Sequence, residues 1–330
     1  VTARLSDIAT QAGVSEATVS RVVNGKPGVS ASTRQAVVTA MDVLGYERPP
    51  RLRQRSAGLI GLITPELNNP IFPAFAQVIE QVLTGDGYTP VLCTQTPGGS
   101  TEDQLTDMLV DRGVTGIVFV SGLHADTTAN KDRYVKLAGR GVPFVMINGY
   151  TDQVSAPFVS VDTRAAVRLA VTHLLELGHE TIGLAVGPPR FVPAQRMVEG
   201  FTLVRPQASD LVEHSLFTVE GGQAAANALL DRGCTAIVCG SDLMAFGAIR
   251  AARQRGLTVP RDVSVVGFDD SPLIVFADPP LTTIRQPVEA MGQAAVHALL
   301  EEIGGTPAPH AEFVFQPELV VRGSTGARPR

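Results

Sequence analysis

The chain has 330 residues, too many for one small domain and enough for a head piece joined to a two-lobed body. With 44% hydrophobic and 18% charged residues it can bury a large core, which excludes an extended disordered chain. The net charge of −5 argues against nucleic-acid binding only until it is divided: residues 1–58 hold eight bases and four acids (+4), and the rest hold 19 bases and 28 acids (−9).

The N-terminal stretch carries the sharpest pattern. Leu5, Ile8, Ala9 and Ala12 fall at i, i+3, i+4 and i+7, one apolar stripe of a short helix. Gly13 then supplies the left-handed backbone that a sharp turn needs. Ser15 is placed to cap a second helix, whose Val19, Val22 and Val23 point to a core. Its small and polar positions are Ala17, Thr18, Ser20 and Arg21. Two short helices about a glycine turn predict a helix-turn-helix that binds DNA; the alternative is an ordinary surface helical hairpin. A third helix opens at Ser30 or Ser32, takes its apolar face from Val37, Val38, Met41 and Leu44, and ends at Gly45. Residues 1–45 therefore read as a three-helix domain, a DNA-binding one if its first two helices are a helix-turn-helix, and 46–58 as a linker, in which Pro49 and Pro50 forbid helix just before them.

The run from Asp7 to Asn24 (DIATQAGVSEATVSRVVN), followed by Val29-Ser-x-x-Thr-Arg34, resembles the signature of the LacI/GalR family of bacterial transcription regulators. The resemblance implies that Glu16, Ala17 and Arg21 face base edges. An arginine can fork onto guanine, and alanine can touch a thymine methyl. It makes Ser15, Ser20, Asn24, Ser30 and Thr33 phosphate contacts or helix caps. It also implies a hinge helix in the linker, with Leu52 wedged into the minor groove and Arg53 and its neighbours on phosphates. The linker departs from the usual family pattern and is short, so a plain solvated tether is the competing reading.

From Leu59 the period changes. Apolar runs at 59–64, 89–94, 116–120 and 143–147 alternate with helical stretches. A second series follows, with strands at 181–186, 214–219, 236–240 and 263–268. This alternation predicts an α/β body over 59–326, two similar lobes each built on a parallel sheet. The resemblance implies the same architecture, that of periplasmic sugar-binding proteins, with chain crossovers near 161, 285 and 316. The stretch 202–213 is shorter than the family usually has. The tail GSTGARPR has no leucine heptads, so a homodimer on palindromic operator DNA is expected, without coiled-coil tetramer assembly.

Ligands of open parallel sheets sit at strand C-termini. There the resemblance implies effector contacts at Phe72, Asn148, Arg196, Ser241 and Asp269. A carboxylate, an amide and an arginine about an aromatic face suit a polyhydroxylated ligand. The stretches TPGGSTEDQLTDMLVDRGVTGIVFVSGLHAD and RFVPAQR further resemble actinobacterial maltose-regulon repressors, which implies maltose or a maltooligosaccharide as effector. No phosphate loop, dinucleotide fingerprint, nucleophile elbow or zinc spacing is present, so no enzyme, metal or cofactor is expected. Cys93, Cys234 and Cys239 match no zinc pattern and read as reduced, buried thiols. No apolar tract is long enough for a membrane span, and the chain opens on the helical pattern without a secretory leader. The expectation is a cytoplasmic, sugar-controlled repressor; the alternative is a cytosolic or transporter-associated sugar-binding protein without regulatory DNA binding.

Overall fold

The structure is a computed structural model that describes residues 3–46, 57–95, 98–272, 274–306 and 308–328. It divides into two compact units, Val1–Ser56 and Ala57–Arg330.

The first unit has three helices, α1 (Leu5–Ala12), α2 (Glu16–Val23) and α3 (Ala31–Val43). Gly13 takes φ 65° and turns the chain out of α1. Ser15 and Ser30 cap α2 and α3 by accepting from the Thr18 and Thr33 amides at 3.2 and 3.1 Å. Ile8, Ala9, Val19, Val22, Val23, Val37 and Ala40 form the small core. Val38, expected on the apolar face of α3, is exposed instead: Val37 and Ala40 fill the space against the other two helices.

The second unit holds two six-stranded sheets. In the first lobe β1 (Leu59–Thr64), β2 (Thr89–Thr94), β3 (Gly116–Val120), β4 (Phe144–Ile147), β5 (Phe158–Val161) and β11 (Glu312–Phe315) lie in the order β11-β5-β4-β3-β1-β2, all parallel. In the second, β6 (Ile182–Val186), β7 (Val212–His214), β8 (Ala236–Cys239), β9 (Ser264–Asp269), β10 (Thr282–Arg285) and β12 (Glu318–Val320) lie in the order β12-β10-β9-β8-β6-β7. Only the β10–β12 pair is antiparallel. Strands such as β3, β4 and β8 are buried along their whole length, which is why they read as unbroken apolar runs.

Helices α4 (Ile71–Gly85), α5 (Glu102–Asp111) and α6 (Asp132–Gly139) follow β1, β2 and β3. The chain crosses to the second lobe after β5 through α7 (Thr163–Glu176), and α8 (Val192–Val204), α9 (Val219–Asp231) and α10 (Asp242–Gln254) follow β6, β7 and β8. It returns after β10 through α11 (Val288–Ile303), which packs on α4, and crosses once more between β11 and β12. The three crossing segments run side by side, since the Asp162 amide donates to the Phe315 carbonyl and Arg285 pairs with Glu318; they pass beside β5–β11 and β10–β12, and α7 then carries the chain over to β6.

One expected strand is corrected. The run 214–219 is not a strand: β7 ends at His214, and Thr218 caps α9 by accepting from the Gly221 amide at 3.0 Å. The short stretch 202–213 closes as a 3-10 turn over Pro206–Leu211 that carries α8 into β7. The three cysteines are free and buried; burial pushes the Cys234 thiol up to about 11, and Cys93 and Cys239 shift the same way, so none is a ready thiolate.

Candidate functional site

The head piece presents a polar face on α2. Glu16, Ala17 and Arg21 are exposed, opposite the buried valines of the same helix. The Arg21 guanidinium donates to the Pro27 carbonyl at 3.2 Å, which folds it over the turn after α2. The Asn24 amide donates to the Ser20 carbonyl at 2.7 Å and approaches its hydroxyl at 3.3 Å. Ser15, Ser30 and Thr33 are engaged in caps. Leu52 and Arg53 lie outside the described residues.

In the body, backbone strain marks one region. Among the described residues the non-glycines at positive φ are Ser121 (47°), Asn148 (61°), Asp269 (122°) and Asp270 (57°). Each follows or ends a strand at its C-terminal end: β3, β4, and β9 twice. Such backbone costs about 1–3 kcal/mol per residue and persists where surrounding structure fixes it, commonly at a site. Here all four positions lie at strand C-terminal ends, where open parallel sheets bind ligands.

Asp269 is buried, and its carboxylate accepts from Gln286 Nε2 at 2.6 Å and from the Asn69 side chain. Asn69 comes from the loop after β1, so this cluster joins the two lobes. Burial, with the Asp242 charge behind it, raises the Asp269 carboxyl well above the usual range, and the two amide hydrogen bonds oppose that rise. Gln286 Oε1 is buried without a hydrogen-bond partner, an acceptor left free beside the carboxylate. Asp242 is structural: it accepts from the Ser271 amide and hydroxyl and from Thr283, and so ties the strained turn to α10.

The expected effector residues separate into groups. Phe72 is the second residue of α4, and its amide donates to the carbonyl of Asn69, a member of the Asp269 cluster, at 3.1 Å. Asn148 donates its side-chain amide to Ser121 Oγ at 3.3 Å. Ser241 is buried, and its hydroxyl caps α10 by accepting from the Met244 amide. Arg196 has other company: its guanidinium is bidentate to Glu312 on β11, at 2.5 and 2.9 Å, an ion pair between the lobes on the crossover side.

Three residues escaped the sequence reading. Asn69 stood beside Phe72, and Gln286 stood at an expected crossover. Phe217 was hidden inside the misread strand. Its ring lies against Gly187 and Gly240, just past the ends of β6 and β8; a Cβ at Gly187 would meet it at 2.0 Å. It stands at the same C-terminal end of the sheet as Asp269. A separate hollow of about 280 Å³ between α5 and α6 contains none of these groups; its Asp103, Asp107 and Asp132 are offset in charge by Arg133, Lys136 and Arg140.

Residues 4–49 match the model of the lacI family of bacterial regulatory proteins, and residues 171–325 match a periplasmic binding protein-like domain. The chain is 72% identical to the HTH-type transcriptional regulator reg1 of Streptomyces lividans, covering 100% of this chain and 98% of that protein. The chain belongs to the LacI family. It is a sugar-responsive, DNA-binding transcriptional repressor, not an enzyme. It is also 71% identical to the regulator MalR of Streptomyces coelicolor, again over 100% of this chain and 98% of that protein. Among solved structures of the family, a complex of the regulator CelR with cellobiose superposes with TM-score 0.72 at 31% identity, over 98% of this chain and 99% of that one. A lac repressor dimer bound to operator and an anti-inducer gives TM-score 0.71 at 30% identity, over 99% and 100%. Relatives of this family bind operator DNA as dimers and take sugar effectors. Among the described residues no helix is long and apolar enough to cross a membrane.

Proposed function

We propose that this regulator is a cytoplasmic homodimer whose operator affinity is lowered by maltose or a maltooligosaccharide. The observation that carries the effector reading is the Asp269 cluster at the end of β9, joined to the other lobe by Asn69. A buried carboxylate, an amide with a free acceptor and the Phe72 ring match a pyranose, which offers hydroxyl donors on its rim and C–H groups on its faces. Phe72, Asn148, Asp269 and Gln286 contact the sugar. Ser241 holds the loop through its cap, and Arg196 acts with Glu312 at the edge of the cleft. The choice of an α-glucan rests on likeness to MalR and on the sequence stretches that resemble maltose-regulon repressors.

On DNA, Glu16, Ala17 and Arg21 face base edges of a palindromic half-site, with Ser15, Ser20, Asn24, Ser30 and Thr33 at or near phosphates. Leu52 and Arg53 serve the hinge at the minor groove. The exposed Val275 and Phe276 (82% accessible) support a second copy on the second lobe.

Calorimetric titration with maltose and maltotriose tests the pocket. Asp269→Asn removes the charge yet keeps the shape, and sugar affinity is expected to fall at least tenfold, about 1.5–3 kcal/mol for a charged hydrogen bond. Operator affinity without sugar should stay at the wild-type value. Equal sugar affinity in the variant would move the pocket elsewhere; no heat with either sugar would remove the α-glucan assignment.

A further inference from the structure

The loop between β3 and α6 is built with unusual firmness for an exposed rim. The Lys131 ammonium is buried and donates to the carbonyls of Leu123 (2.6 Å), His124 (3.1 Å) and Asp126 (2.5 Å), much as a bound cation would gather them. The buried Glu102 carboxylate accepts from the Leu123 amide at 2.8 Å, from Gln95 and from the Tyr134 hydroxyl. His124 Nε2 reaches the Ile147 and Asn148 carbonyls at 3.2 and 3.0 Å. Asp126 Oδ1 accepts from the Thr128 amide and hydroxyl, which leaves Oδ2 pointing outward.

What Oδ2 meets belongs to the other lobe. Arg190 Nε donates to it at 2.9 Å, with the guanidinium laid over the Phe191 ring, 4.7 Å from its centroid. The Thr127 amide and hydroxyl both donate to the Arg190 carbonyl at 2.8 Å, and Asp126 and Phe191 make an isolated antiparallel bridge. This second partner is also fixed. Pro188 and Pro189 restrict its backbone, the Phe191 amide returns to the Pro188 carbonyl, and Gln195 holds the Pro189 carbonyl. Two prebuilt surfaces lose little freedom on meeting, so a few hydrogen bonds suffice to hold them.

The placement gives the contact its meaning. β3 is fourth, and β6 fifth, counted from the edge where the three crossings run. The Arg196–Glu312 pair lies on that crossing edge. The Asp126–Arg190 contact closes the side away from it.

We propose that Asp126–Thr127 and Arg190–Phe191 form a latch on the free rim of the cleft, and that effector entry and exit pass through its opening. Lys131 is a positioning residue: it holds the first half of the latch in shape. None of these five residues is a sugar contact in this proposal. The role in effector passage rests on the sugar-binding reading above; the latch itself does not.

Amide hydrogen exchange on the full-length protein without sugar tests the latch directly. The Thr127 amide is expected to be protected. Arg190→Ala, at a side chain 49% exposed and therefore safe for folding, should raise its exchange about three- to tenfold, the size of one half-exposed charged contact, and leave the sheet amides unchanged. Asp126→Asn and Arg190→Gln should not multiply in the double variant, since each removes the same contact. Lys131→Met should raise exchange across the whole 122–128 segment. Stopped-flow mixing with maltotriose should then show faster association and faster dissociation in Arg190→Ala. Free exchange at Thr127 in the wild type, or multiplying single effects, would overturn the latch. Unchanged sugar rates beside altered exchange would overturn its role in passage. If the wild type takes no maltotriose, the sugar assignment fails, and the exchange results alone decide whether the lobes are latched.

Discussion

His124 shows how much one buried side chain sets. Its Nε2 faces two carbonyls, so that nitrogen carries the proton, and Nδ1 is buried without a partner. Burial, only partly opposed by the Glu102 charge, lowers its pKa to about 4 from the ordinary 6.5. The folded protein therefore holds the neutral ring, while the unfolded chain takes a proton below 6.5. Its contribution to stability is complete above pH 6.5, declines as pH falls, and is gone near pH 4, about 3 kcal/mol in all. His173 and His179 shift in the same direction, so their effect adds to it. Urea unfolding at pH 7 and pH 4.5 checks this. His124→Gln, which keeps a donor near Nε2, should lose clearly less stability between those pH values than the wild type; an identical loss would mean the ring is not the titrating group.

Helices α9 and α10 depend on paired glycines. A Cβ on Gly222 would lie 2.1 Å from the Met244 carbonyl oxygen, and one on Gly247 would lie 2.1 Å from that of Val219. Both obstacles are backbone, which cannot swing away. Gly247→Ala is expected to cost at least about 2 kcal/mol despite its better helix propensity, seen as a lower urea midpoint with an unchanged slope. A neutral result would show that the two helices can move apart freely. The same region shows where sequence legibility ended. Strands buried on both faces were plain as apolar runs, and Gly13, Ser15 and Ser30 announced the head piece locally. In the run 214–219, however, Leu216, Phe217 and Val219 suggested a strand, while Thr218 is a cap and Phe217 packs against two glycines distant in sequence. Asn69 and Gln286 were equally silent, because each becomes informative only when the fold brings it to Asp269. The Arg196 position was visible, but its partner Glu312 lies 116 residues away and gave no local signal.

At the scale of the molecule, the two activities sit in separate units, and residues 47–56 are the only covalent path between them. In the function proposed above, sugar and operator oppose each other through that path or through a dimer, and the opposition is reciprocal by linkage. For sugar to lower operator affinity 100-fold, it must bind the released form about 100-fold more tightly, about 2.7 kcal/mol. The acidic body, with 28 acids to 19 bases beyond residue 58, repels DNA and leaves the phosphate contacts to the basic N-terminal part. The most direct measurement is fluorescence anisotropy of a labelled palindromic operator titrated with protein at fixed salt, with and without maltose or maltotriose. We predict tight, sequence-dependent binding that one of these sugars weakens by tenfold or more. Binding to a scrambled duplex as tight as to the operator, or operator binding that neither sugar changes, would contradict the account.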